Sequence, residues 1–202
     1  MQFEDVLNII PPHQFGKKLE TVSTVHCDTI AEATEHYELA ARRLLLVNGW
    51  HNTAGLVSAK FQLITPDGEE GDRAAQVGDY LRISIPGPAC EAGDGYDWVK
   101  VEALEKFSEE HTTAVGFRVR PCASPLENSN QTAHFYDDNA CSCFIVMRIE
   151  TEVVAWILER NLTPNENCGG LGDKIRDTVV GIAAMAVGSK IQWKNLADGL
   201  IA

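Results

Sequence analysis

The run Ala133–Asp138 (AHFYDD) gathers an imidazole, a phenol and two carboxylates: His134, Tyr136, Asp137 and Asp138. A histidine beside an aspartate can move protons near neutral pH, because imidazole titrates there. Asp137, Asp138 and Asn139 also offer oxygen ligands, but the spaced ligands and fixed glycine of an EF-hand loop are missing. A second stretch, Gly49–Asn52 (GWHN), pairs Trp50, a candidate apolar wall, with His51, a candidate contact for a polar head group. A third is WILERN. Strand alternation would place Val154, Trp156, Leu158 and Arg160 on one face. If that face is interior, Arg160 at the strand end could pair with a carboxylate ligand. Cys141 and Cys143 form a C-x-C, which on a strand points both thiols the same way. They read as small core residues, since no His or Cys cluster near them in sequence completes a metal site. There is no G-x-S-x-G, P-loop, H-E-x-x-H or Rossmann glycine pattern, so no catalytic residue, cofactor or metal is assigned.

Charge narrows the partners. The 202 residues carry a formal net charge of −12, and the densest basic pair is Arg42-Arg43. Such a field repels phosphate backbones and anionic membrane surfaces, which excludes nucleic acid as the expected partner. No run approaches ~18 apolar residues, so no membrane insertion is expected, and the opening residues lack a signal-peptide apolar run. The expectation is a cytoplasmic protein, with a homodimer left open. A hydrophobic content of 45% suits one domain, which at this length buries roughly 70% of its unfolded surface.

The elements that must position these residues follow from periodicity. Residues 1–16 read as a poorly packed lead-in, with Pro11-Pro12 breaking any helix. Residues 17–202 read as a single domain. Lys17–Cys27 is rich in Thr and Val, as strands are. Thr29 and Glu32 fit a capping box for an amphipathic helix ending near Gly49. Alternating runs follow, and Phe61, Leu63, Ile83, Val101, Val115 and Phe117 should share the inward face. CSCFIVMRI and EVVAWILER are apolar on both faces and read as central or doubly covered strands. In the loop between two meander strands, Pro86 and Pro88 stop the ladder while Gly93 and Gly95 permit positive φ, giving a candidate lip. Tyr96 and Trp98 stack two apart as a candidate aromatic rim. A long polar loop spans Pro121–Asn139, and a helix of roughly 27 residues closes the chain.

A meander with one apolar face must be covered, and the closing helix is the only late element long enough to do it. The expected fold is α+β: a curved antiparallel sheet wrapped around a long C-terminal helix. The competing arrangement is a small SH3-like barrel from residues 55–120 with helices outside. The element order from Lys17 to Ala202 resembles the helix-grip fold of the START/Bet v1-like (SRPBCC) superfamily. That resemblance implies binding of a lipid-like, polyketide-like or other apolar or amphipathic small molecule between sheet and helix, and in some members a polyketide cyclase activity. The glycine-rich loop of plant members is replaced here by the charged TPDGEEGDRAAQVG, so no family site residue carries over. The candidate ligand contacts are therefore Trp50, His51, Trp98, His134, Trp156, Arg160 and Trp193. The alternative is a structural or protein-interaction domain without a cavity.

Overall fold

The computed structural model describes residues 6–55, 59–85, 91–168 and 179–202, with side chains of the last span from 190 onward. Strand β1 (Lys17–His26) leads into helix α1 (Ile30–Leu45) and the short α2 (Trp50–Thr53). Six strands follow: β2 (Lys60–Ile64), β3 (Tyr80–Ser84), β4 (Asp97–Ser108), β5 (Thr112–Pro121), β6 (Cys141–Ile149) and β7 (Glu152–Leu162). Helix α3 (Val179–Leu200) closes the chain. All seven strands form one antiparallel sheet in the order β1-β7-β6-β5-β4-β3-β2. The sheet is open, with β1 and β2 as its edges, so residues 55–120 do not close a separate barrel.

The sequence cues act as expected at α1. Thr29 Oγ1 accepts from Glu32 N at 3.2 Å, while the Glu32 carboxylate reaches back to Asp28 N at 3.1 Å. Helix α3 has 22 residues, shorter than the expected 27 or so, and spans ~33 Å. The start of the expected helix lies outside the described residues, as do Pro86 and Pro88 of the candidate lip. Gly95 of that loop takes φ +83°, whereas Gly93 does not adopt a positive φ; a Cβ there would stand 3.0 Å from Ala133 and Trp98 side-chain atoms.

The sheet face covered by α1 and α3, termed concave below and its opposite convex, carries the main core. Phe61, Leu63, Ile83, Val101, Val115 and Phe117 are all buried there, with Phe144, Val146, Ala155 and Ile157 from the central strands. Helix α1 covers them through Ala33, Ala40 and Leu44, and α3 through Leu196, Ala197 and Leu200. Polar contacts pin α3: the Arg43 guanidinium donates to the Gly199 and Leu200 carbonyls, and Ser23 Oγ donates to Asp198 at 2.6 Å.

The opposite face differs from the expectation. Residues 6–10 are not a loose lead-in but a strap laid across the convex face. Val6, Leu7 and Ile9 bury themselves against Cys143, Ile145, Met147, Val154, Trp156 and Leu158. The physical reason lies in β6 and β7: both are apolar on both faces, so a second cover is needed, and the chain's own N-terminal segment supplies it. Arg118 donates to the Ile9 carbonyl at 3.0 Å, and Asn8 N donates to Glu105 at 2.8 Å. Gly116 makes the close approach possible. A Cβ there would stand 2.8–2.9 Å from Ile145, Ile9 and Leu7 side chains. Gly116→Val should therefore displace the strap at a cost of about 1–3 kcal/mol. Limited proteolysis would then cut within residues 6–12 while the sheet survives; an uncut strap in the variant would refute the fit described.

Candidate functional site

Strand parity decides which polar groups face the helices. On β7, Val153, Ala155 and Ile157 belong to the concave core, whereas Val154, Trp156 and Leu158 belong to the convex one. Glu159 is therefore concave and Arg160 convex. Glu159 is 3% exposed and pairs in register with Ser142 of β6. Across from it on α3 stands Trp193, whose ring packs edge-on against Phe144 at 5.2 Å and beside Phe61 at 6.3 Å.

Burial pushes the Glu159 carboxyl up to about 7; the nearby Trp193 indole and Ser142 hydroxyl only partly offset this. No hydrogen bond of ordinary geometry closes between carboxyl and indole. Glu159 Oε2 and Trp193 Nε1 are both buried and unpaired. An acceptor and a donor thus lie near each other, unmet, in an aromatic surround. Either would cost roughly 1–3 kcal/mol to leave so. At the other end of the concave face Arg148 is buried too. Its guanidinium donates to the Glu150 carbonyl and Thr113 Oγ1, its Nε is unpaired, and no carboxylate pairs with it among the described residues.

The seven sequence candidates do not come together. Trp50 and Trp193 lie on the concave side, both against Phe61 and Phe144. His51 lies on α2, where its ring meets the Asn48 carbonyl at 3.2 Å. Trp98 belongs to a separate cluster with Ile64 and Ala133 on the outside of the sheet. Trp156 is under the N-terminal strap. Arg160 shares the convex face and donates to Glu20 at 2.7 Å, which corrects the expectation that it faces a ligand. The role foreseen for it depended on parity, and β7 turns the other way.

His134 does not form an acid–base pair with its neighbouring aspartates. It is buried, its Nδ1 accepts from Tyr136 N at 2.9 Å, and burial lowers its pKa to about 3. It is held neutral and does not pair with Asp137 or Asp138; Asp137 instead accepts from Asn139 N. The long loop around it is fastened rather than free: Trp98 N donates to Ala133 O, and Asn165 Nδ2 donates to the Thr132 and His134 carbonyls. Outside it runs an open polar groove of about 240 Å³, lined by Asn130, Thr132, Asp137, Asp138 and Asn165 among others. Among the described residues no group of three or more His, Cys, Asp or Glu could hold a metal, and no helix is long and apolar enough to cross a membrane. Cys168 is disulfide-bonded.

No protein-family model and no curated protein matches the sequence. Similar solved structures include norcoclaurine synthase from Thalictrum flavum, at 11% identity and TM-score 0.39, covering 96% of this chain and 95% of that one. They also include the di-domain ARO/CYC BexL of the BE-7585A biosynthetic pathway, at 13% identity and TM-score 0.38, covering 92% of this chain and 50% of BexL. A third is an uncharacterized protein from Bacillus thuringiensis, at 11% identity and TM-score 0.37, covering 91% of this chain and all of that one. The chain spans half the length of BexL. None of them lends a residue role to this chain.

Proposed function

We propose that this protein binds an apolar or amphipathic small molecule between the concave sheet face and α3, with Glu159 as its polar anchor. The observation that carries this reading is the pair of buried, unpaired atoms, Glu159 Oε2 and Trp193 Nε1, in an aromatic surround. A ligand hydroxyl or weakly basic nitrogen would donate to the first and accept from the second. Trp50 and Trp193 are the proposed apolar walls. Area alone discriminates poorly among apolar guests, so this one polar corner sets the orientation. The resemblance in element order to the START/Bet v1-like superfamily supports the same reading.

Native mass spectrometry of the purified protein tests it. A small-molecule adduct that leaves on denaturation is expected, and Glu159→Gln should weaken its retention about tenfold, the loss of one hydrogen bond to a charged or acidic group. A carboxyl near neutrality also suits proton transfer, so incubation that changes the ligand's mass would place the protein among enzymes. A specific observation favours the second reading, a protein-interaction domain: Trp50, Phe117 and Phe144 already fill the middle of the concave face. Absence of any adduct, together with no uptake of apolar dyes, would select it.

A further inference from the structure

Two buried thiols lie outside the site just described. Cys141 and Cys143 are two residues apart on the convex face of β6, each almost fully buried. The S–H of Cys143 donates to the Ile9 carbonyl of the strap at 3.4 Å. Arg118 of β5 stands in register with Cys143, and Arg120 follows it on the same face. A bulge in β4 between Val101 and Ala103 seats Glu102 between the two guanidiniums, 3.1 Å from Arg118 and 2.7 Å from Arg120. Their other hydrogen bonds go to the neutral carbonyls of Ile9, Asp138 and Asn139. Two cations share one carboxylate, so these three groups together carry one surplus positive charge; Arg160, in register with Cys141, is paired with Glu20, and Glu105 on the same face accepts from Asn8 N.

We propose that Cys141 and Cys143 form a two-coordinate site for a soft monovalent metal ion of the Cu(I) class. On binding, two S–H bonds break, two sulfur–metal bonds form, and two protons leave to solvent with no change of oxidation state. The resulting dithiolate complex carries one net negative charge, the complement of the surplus on Arg118, Glu102 and Arg120. Thiolates select Cu(I) over hard cations. Zinc asks for four ligands, and no third His, Cys, Asp or Glu joins these two among the described residues. A disulfide within the strand is disfavoured, because two extended residues hold the Cα atoms ~6.8 Å apart, the upper limit for that bond. The strap is the way in, and metal binding removes the S–H that Ile9 accepts.

Anaerobic competition for Cu(I) against a chromogenic chelator tests the site. One Cu(I) per chain is expected. Losing an outer-shell partner already costs a metal site up to about 100-fold, so Cys141→Ser and Cys143→Ser should each cost at least that. The double variant Cys27→Ser/Cys122→Ser, which removes the two other free thiols among the described residues, should bind as the parent does. Since a buried serine could unfold β6, the parent protein is also read by X-ray absorption, where two sulfur neighbours in linear geometry are expected. Copper retained by Cys141→Ser, copper lost from the Cys27/Cys122 variant, a three- or four-coordinate spectrum, or no competition at all would each overturn the proposal.

Discussion

Trp50→Ala should lower stability by about 3–5 kcal/mol, the range for deleting a large buried aromatic side chain. Trp50 is 1% exposed and stands where both helices meet the sheet. Its ring lies 5.0 Å from that of Phe61, 5.9 Å from Phe117 and 4.8 Å from Phe144. Its indole N–H reaches the Leu44 and Arg43 carbonyls at 3.1 and 3.2 Å, two acceptors left open where α1 ends. Trp50→Phe keeps most of the area but drops that donor, so it should cost less, about 1–2 kcal/mol. Urea midpoints of the two variants check the order. A cost below 1 kcal/mol for alanine would mean that α1, α2 and the sheet close up around the hole, and that the residue is not what joins them. The variant also bears on function, because the hole would enlarge the proposed binding space, and greater uptake of an apolar probe by the alanine variant is expected.

The sheet was legible because alternation is a local property. Phe61, Leu63, Ile83, Val101, Val115 and Phe117 declare one face whatever they pack on, and the core contains all six. The cap at Thr29 is equally local. The strap is not legible as structure, because Val6, Leu7 and Ile9 are too few to show a period and Pro11-Pro12 look like an end to order. Yet the demand for it was visible: β6 and β7 are apolar on both faces, and something had to lie on the second. Glu159 and Arg160 show a different limit. Their neighbouring positions guarantee opposite faces, but which face turns inward depends on pairing with β1 and β6, a long-range matter. The choice between a buried anion and a buried cation in the ligand space hung on that parity.

Glu159 makes the protein's stability depend on pH in a way that Glu159→Gln should abolish. Its ordinary pKa of 4.5 is raised by burial to about 7 in the folded state, while the unfolded chain keeps the ordinary value. Between those two values the folded protein holds a proton that the unfolded chain has released. Stability from this group is therefore full below pH 4.5, falls as pH rises through 7, and is then lower by about 3 kcal/mol at roughly 1.4 kcal/mol per unit. The parent profile alone cannot isolate this, because His134 runs the other way. Its pKa is lowered to about 3, so its contribution is present above 6.5 and lost as pH falls. Over the shared range, from 4.5 to 6.5, the two slopes oppose each other. The difference between the variant and the parent removes His134 from the comparison. Glu159→Gln should be about as stable as the parent near pH 4.5 and more stable by about 3 kcal/mol at pH 8, with the change centred between those values. A difference flat with pH would mean that Glu159 titrates as an exposed carboxyl and is no buried anchor. If the slope is found, the acid is a standing cost at neutral pH that an amide of the same shape would remove. The proposed ligand would account for keeping it: a donor meeting Oε2 stabilises the charged form and should draw that midpoint back down, which the same titration repeated with ligand would register.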